Sequence, residues 1–118
     1  KRYNWERKIA IQLTKSELPI FAGVMLGFVD KARFDNHGDT NKFLEVENQG
    51  QNFFIKTGGT GLGLHVAPIP TVEAFMYGTM ALNEYARNFA GLSTDTAYKI
   101  IYGLCMQLNH FGSIKVPK

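Results

Sequence analysis

Three strand-like runs, KFLEVE (42–47), NFFIKT (52–57) and LGLHVA (62–67), follow one another with only a few residues between them, and this spacing limits the folds open to the chain. A parallel pairing needs a crossover of a dozen or more residues. The segments between these runs, centred on Gln49-Gly50 and on GGTG at 58–61, are far shorter. The runs therefore predict an antiparallel meander joined by glycine-bearing turns. Strand alternation assigns Leu44, Val46, Phe53, Ile55, Leu62, Leu64 and Val66 to a core face, and Phe43, Glu45, Phe54, Lys56 and His65 to the other. The second face is mixed, aromatic and polar.

The flanking segments add helices. From Arg7 to Thr14 the chain alternates, with Ile9, Ile11 and Leu13 on one side and Lys8, Ala10 and Gln12 on the other, as a half-buried strand requires. Thr14 and Glu17 have capping-box spacing, with Ser16 as a second candidate cap. Leu18, Phe21, Ala22, Met25 and Leu26 then recur at helical spacing up to a stop at Gly27. A short strand around Val29 to Phe34 leads into the polar loop FDNHGDTNK (34–42). Pro68 and Pro70 are expected to end the sheet, and Thr71 to cap a helix from about Val72 to Phe89 that Gly91 closes. Its apolar residues are Phe75, Met76, Met80, Leu82, Tyr85 and Phe89. A last helix starts at Ser93 or Thr94 and carries Ala97, Ile100, Ile101, Leu104, Cys105 and Leu108.

The order β-α-β-β-β-β-α-α predicts one α+β domain over residues 1–118, a twisted antiparallel β-sheet with amphipathic helices packed on one face. It divides into a basic aromatic strip at 1–6, a strand-helix-meander at 7–67, helices at 71–109 and a loose tail at 112–118.

With 45% hydrophobic and 19% charged residues, the composition is that of a folded domain rather than a disordered tail. No apolar run approaches the ~20 residues of a membrane span, so no membrane association is expected. A lone Cys105 makes no internal disulfide and suits a reducing compartment, which predicts an intracellular location. Lys1 is not an initiator methionine, so residues upstream of it are expected.

The +3 net charge is unevenly placed. Residues 1–8 hold Lys1, Arg2, Arg7 and Lys8 against Glu6, whereas 9–114 hold seven basic and nine acidic residues. A basic end beside Tyr3 and Trp5 can pair with phosphates and stack on bases. The alternative is an ordinary solubilising terminus.

Signatures of chemistry are missing. GGTGLG (58–63) lacks the Lys-Ser/Thr of a phosphate-binding loop and leads into no helix. His37, His65 and His110 have no metal-ligand spacing, and DNHGD (35–39) lacks the ligand positions and closing Glu of a calcium loop. No nucleophile arrangement is visible. The chain is expected not to be an enzyme and to need no cofactor or metal.

The order YNWERKIAIQL, a Thr-started helix, a polar loop, FLEVE, a Gly-bearing turn, FFIKT and VAPIPTVEAF leading into a long helix resembles the Whirly family. That family belongs to a superfamily of single-stranded-DNA-binding transcriptional regulators. The similarity spans residues 3–89, about three quarters of the chain, and its Y-N-W-x-R-K opening is its most specific part. It implies a sheet whose outer face and edge hairpins hold single-stranded DNA, braced by helices that mediate oligomers. Two departures stand out: a basic K-G-K-A-A-L type motif is missing, and the helix at 93–108 is additional.

The residues themselves are compatible with that expectation. Lys8, Lys42 and Lys56 are placed to neutralise phosphates, and Trp5, Phe43 and Phe54 to stack on bases. Tyr3, Arg7, Gln12 and His65 complete the candidate nucleic-acid-binding set. The function expected is single-stranded DNA binding with weak sequence preference, in replication, recombination, repair or transcription. RNA binding or annealing is one alternative, and an oligomeric protein-interaction module without nucleic acid is the other. A homo-oligomer is expected because Phe75, Met76, Met80, Tyr85, Ile100, Ile101 and Leu104 exceed what one sheet of this size can cover.

Overall fold

A short helix that is apolar on every side has no face to give to water, and the domain is arranged around hiding it. In the computed structural model, which describes residues 13, 15–37, 42–61, 63–88 and 92–111, this helix is α1 (Leu18–Met25), and all eight of its residues are buried. The sequence pattern anticipated an amphipathic stripe instead. The difference arises because α1 packs between a sheet on one side and two later helices on the other.

The sheet is a four-stranded antiparallel meander, β1 (Lys31–His37), β2 (Lys42–Asn48), β3 (Asn52–Gly58) and β4 (His65–Pro70), in spatial order β1-β2-β3-β4. Two helices follow, α2 (Thr71–Arg87) and α3 (Thr94–Phe111). The α+β class and the order of these elements match the sequence reading. The expected strand at 7–14, the Thr14 cap, the tip of the 34–42 loop, the Gly91 stop and the tail at 112–118 lie outside the described residues. Leu13 is described, and it packs against the core.

Local signals explain most boundaries. Pro19 sits in the first turn of α1, where a missing N–H costs nothing. Glu17, not Ser16, is the N-cap, and its carbonyl accepts from the N–H groups of Ile20 (3.1 Å) and Phe21 (2.9 Å). At the other end Gly27 adopts φ +84°. The Phe28 N–H donates to the Gly23 carbonyl (2.7 Å) and the Gly27 N–H to that of Val24 (3.0 Å), the paired bonds of a Schellman stop. Ser93 caps α3, its Oγ accepting from the Thr96 N–H at 3.1 Å.

Thr71 behaves differently from expectation. It is the first residue of α2 rather than its cap, and its hydroxyl contacts the carbonyls of Gly50 (3.2 Å) and Gln51 (3.0 Å). The start of α2 is thereby tied to the β2-β3 turn.

Two further expectations are corrected. Pro70 ends the sheet as expected, as the last residue of β4, but Pro68 lies inside that strand, which tolerates proline because it is an edge strand. Ile69 between them is the buried residue. With Ile69 inward, strand parity turns Val66 outward and His65 toward the helix side, the reverse of the assignment made from LGLHVA. Leu64 precedes the strand and is exposed.

The helix faces differ as well. The buried face of α2 is made by Ala74, Tyr77, Gly78, Ala81 and Ala86, while Met76 and Met80 are exposed and Phe75, partly exposed, lies at the flank with its ring edge-on to Phe53. Gly78 supplies the reason: a Cβ there would stand 2.8 Å from Leu26 Cδ2 and 3.1 Å from Met25 Cβ, so α1 and α2 cross at glycine distance. The α3 face follows expectation at Ala97, Ile101 and Cys105, but Ile100 is exposed. Phe28 is held edge-on between Tyr98 and Tyr102 (centroids 5.4 and 5.2 Å), and the Asn109 amide donates to its carbonyl at 2.8 Å.

Burial pushes the Cys105 thiol up to about 11. A thiol reagent near neutral pH should therefore modify Cys105 only as fast as the protein opens; immediate reaction in the folded state would contradict its burial. Because the folded thiol keeps its proton to higher pH than the unfolded one, stability is full below about pH 9 and falls as pH rises toward about 11.

Candidate nucleic-acid interface

Of the described helices, α1 and α2 pack on one side of the meander and α3 packs against them, and strand register defines what the other side carries. Lys31, Glu47, Phe54 and Pro68 form one cross-strand row, and Arg33, Glu45, Lys56 and Val66 form the next. Phe43 stands opposite Gly58 in a third. β3 is an interior strand, so Phe54 and Lys56, two residues apart, occupy the middle of this face.

The two aromatic rings are in different situations. Phe54 is half-buried between Glu47 and Pro68 on the neighbouring strands. Phe43 is clamped. The Arg33 guanidinium lies 4.0 Å from its ring centroid, and a Cβ at Gly58 would come within 2.7 Å of the ring, so the ring fills the space that glycine leaves open. Arg33 is itself held by Asp35 (Nε to Oδ1, 2.8 Å) and Glu45 (3.3 Å), and the hydrogen bond with Asp35 raises its already high pKa. Both ion pairs are solvent-exposed and contribute little stability. Their effect is to orient the guanidinium over Phe43 and to offset its charge.

Three cations (Lys31, Arg33, Lys56) and three carboxylates (Asp35, Glu45, Glu47) share this face, so its described part is electrically balanced. The basic excess of the chain is in residues 1–8, outside the described residues, as are the candidates Tyr3, Trp5, Arg7, Lys8 and Gln12. Among the described candidates, Phe43, Phe54 and Lys56 share the face. Lys42 begins β2, exposed, on the parity of Leu44 and beside the register shift in β1 between Phe34 and His37. His65 belongs to the helix side of β4, because Ile69 fixes that strand's parity, and so does not join them.

Lys31 and Arg33 are not singled out by the sequence reading. The alternation Lys31-x-Arg33-x-Asp35 is the available signal, masked when the strand is placed two residues too early.

Among the described residues no three His, Cys, Asp or Glu side chains gather as a metal site, and no helix is long and apolar enough to cross a membrane. No family model, curated protein or solved structure matches the chain.

Proposed function

We propose that this chain is a non-catalytic, single-stranded nucleic-acid-binding domain with weak sequence preference, DNA being its first substrate. The observation that carries the reading is the pair Phe54 and Lys56 at the centre of the sheet face opposite the helices: a ring that can stack on a base beside a cation that can meet a phosphate. The resemblance of the YNWERK opening and the FFIKT strand to the Whirly family supports it. So does the positive charge of residues 1–8, which would supply the attraction that the balanced face lacks.

Base edges are read by hydrogen-bonding groups, whereas stacking and charge pairing tolerate any sequence, so affinity should vary little among oligonucleotides. Duplex should bind less well because its bases are already stacked.

Fluorescence anisotropy with a labelled single strand across a salt series tests this. Replacing Lys8 and Lys56 by Ala should weaken binding of all sequences alike and flatten the log-log salt slope by up to ~0.7 for each phosphate left without its lysine. Phe54→Ala should cost ~1–3 kcal/mol, roughly a 5- to 150-fold weakening, with the slope almost unchanged. If all three variants stay folded and bind as the parent does, the sheet face is not the site. An RNA strand bound more tightly than DNA of equal sequence would assign the same face to RNA.

A further inference from the structure

The Phe43 ring is not open to a base. The Arg33 guanidinium covers it at 4.0 Å from the centroid, and its Cε2 and Cζ atoms fill the space over Gly58. Arg33 has the surface that Phe43 lacks. A guanidinium is planar and its N–H groups point outward in that plane. Nε donates to Asp35 Oδ1 (2.8 Å) and Nη1 to Glu45 Oε1 (3.3 Å), contacts that fix the orientation of the group at its edges and leave its flat sides uninvolved. One flat side is on the ring. The side chain as a whole is 49% exposed, which leaves the other side to solvent.

The charges around the group decide what that side can hold. A phosphate approaching Arg33 meets one cation flanked by two carboxylates, so its attraction is offset. A neutral ring lying on the plane is not repelled in this way, and guanidinium planes stack on bases as aromatic rings do. Glu45 also stands opposite Lys56, and by pairing with Arg33 it leaves Lys56 to the phosphate.

We propose, resting on the nucleic-acid reading of this face, that Arg33 is a second base-stacking plate of the single-strand site: Phe43 backs its guanidinium, Asp35 and Glu45 hold it by its edges and balance its charge, and an unpaired base lies on the outer side. The partner of Phe43 on β3, Gly58, is four residues beyond Phe54, so the two rings stand about 14 Å apart along the strands and across one. A strand stacked at about 3.4 Å per nucleotide covers that gap in about four steps. The ligand is therefore an unpaired run of about five nucleotides, from the Phe54 ring past Lys56 to the Arg33 plate.

The test is anisotropy of a labelled oligothymidylate with charge-conserving variants of the full chain across a salt series. Arg33→Lys keeps the charge and loses the plane, and should weaken binding about fivefold or more at every salt concentration, with the parent's salt slope. Arg33→Tyr combined with Asp35→Asn restores a plane at unchanged net charge, and should bind within about twofold of the parent. Parent-like binding by Arg33→Lys would overturn the plate. So would a slope shallower by about 0.7 in that variant, since Arg33 would then hold a phosphate, or a tyrosine variant as weak as the lysine one. Phe54→Ala and Lys56→Ala separate the plate from the face: if these weaken binding while Arg33→Lys does not, the plate alone is wrong, and if they do not, the sheet face is not the site and the plate falls with it.

Discussion

Phe53→Ala should lower the free energy of unfolding by about 3–5 kcal/mol, whereas Phe54→Ala, one residue away, should lower it by no more than about 1 kcal/mol. The two rings leave β3 on opposite sides. Phe53 is 1% exposed, stands opposite Ile69 on β4 and meets Phe75 of α2 edge-on at 6.4 Å. Its removal leaves a cavity that the β-branched residues on the same face, Ile55 two residues along β3 and Ile69 opposite on β4, cannot collapse to fill. Against a total stability of about 5–15 kcal/mol typical of small domains, the loss is a large fraction of the whole. Truncating Phe54 removes cross-strand packing against Glu47 and Pro68, on the face opposite the described helices. Urea denaturation of the two variants separates them. Equal losses would mean that Phe54 is packed as a core residue and is no platform for a base.

That contrast is legible in the sequence, because period-2 alternation in KFLEVE and NFFIKT names the inward residues without ambiguity. β4 is not legible in the same way. LGLHVA alternates, but so does HVAPIP in the opposite phase, and what decides between them is the burial of Ile69 between two prolines at an edge where proline costs no ladder bond. One phase choice therefore moves both His65 and Val66.

The helices diverge from expectation for a related reason. Apolar periodicity weights large side chains, and so assigns Phe75, Met76 and Met80 to the inner face of α2. Apart from Tyr77, the buried face is instead built from Ala and Gly, whose small size lets α1 approach until Leu26 and Met25 occupy the space at Gly78. α1 has no polar side to betray its orientation, and its complete burial depends on helices that lie more than forty residues later in the chain. Of the candidate site, the sheet-face residues Phe54 and Lys56 are readable from parity alone. Of the partners of Arg33, Asp35 is two residues along the same strand, whereas Glu45 depends on register between β1 and β2, which no local pattern encodes.

The close helix crossings lead to the second large effect. Gly23→Ala should destabilise the protein by about 1–3 kcal/mol, even though alanine is favoured over glycine in a helix by about 1 kcal/mol. A methyl at Gly23 would overlap Cys105 Sγ, and Val29 Cγ2 is 3.6 Å away on another side. Both residues are buried, so the sulfur has no solvent side to retreat to. Removing the obstacle tests the argument directly. In a Cys105→Ala background the methyl of Gly23→Ala enters the space the sulfur vacated and the helix-propensity gain survives, so the second substitution should be neutral or stabilising. The double-mutant cycle should then show a favourable coupling of about 1–3 kcal/mol. Gly78→Ala serves as the contrast, because its methyl would meet Leu26 at 2.8 Å and the Met25 Cβ, an atom fixed to the α1 backbone, at 3.1 Å. It should destabilise by a similar amount and gain nothing from Cys105→Ala, which lies at a different crossing. Additive effects of Gly23→Ala and Cys105→Ala would mean that α1 and α3 do not meet through this glycine.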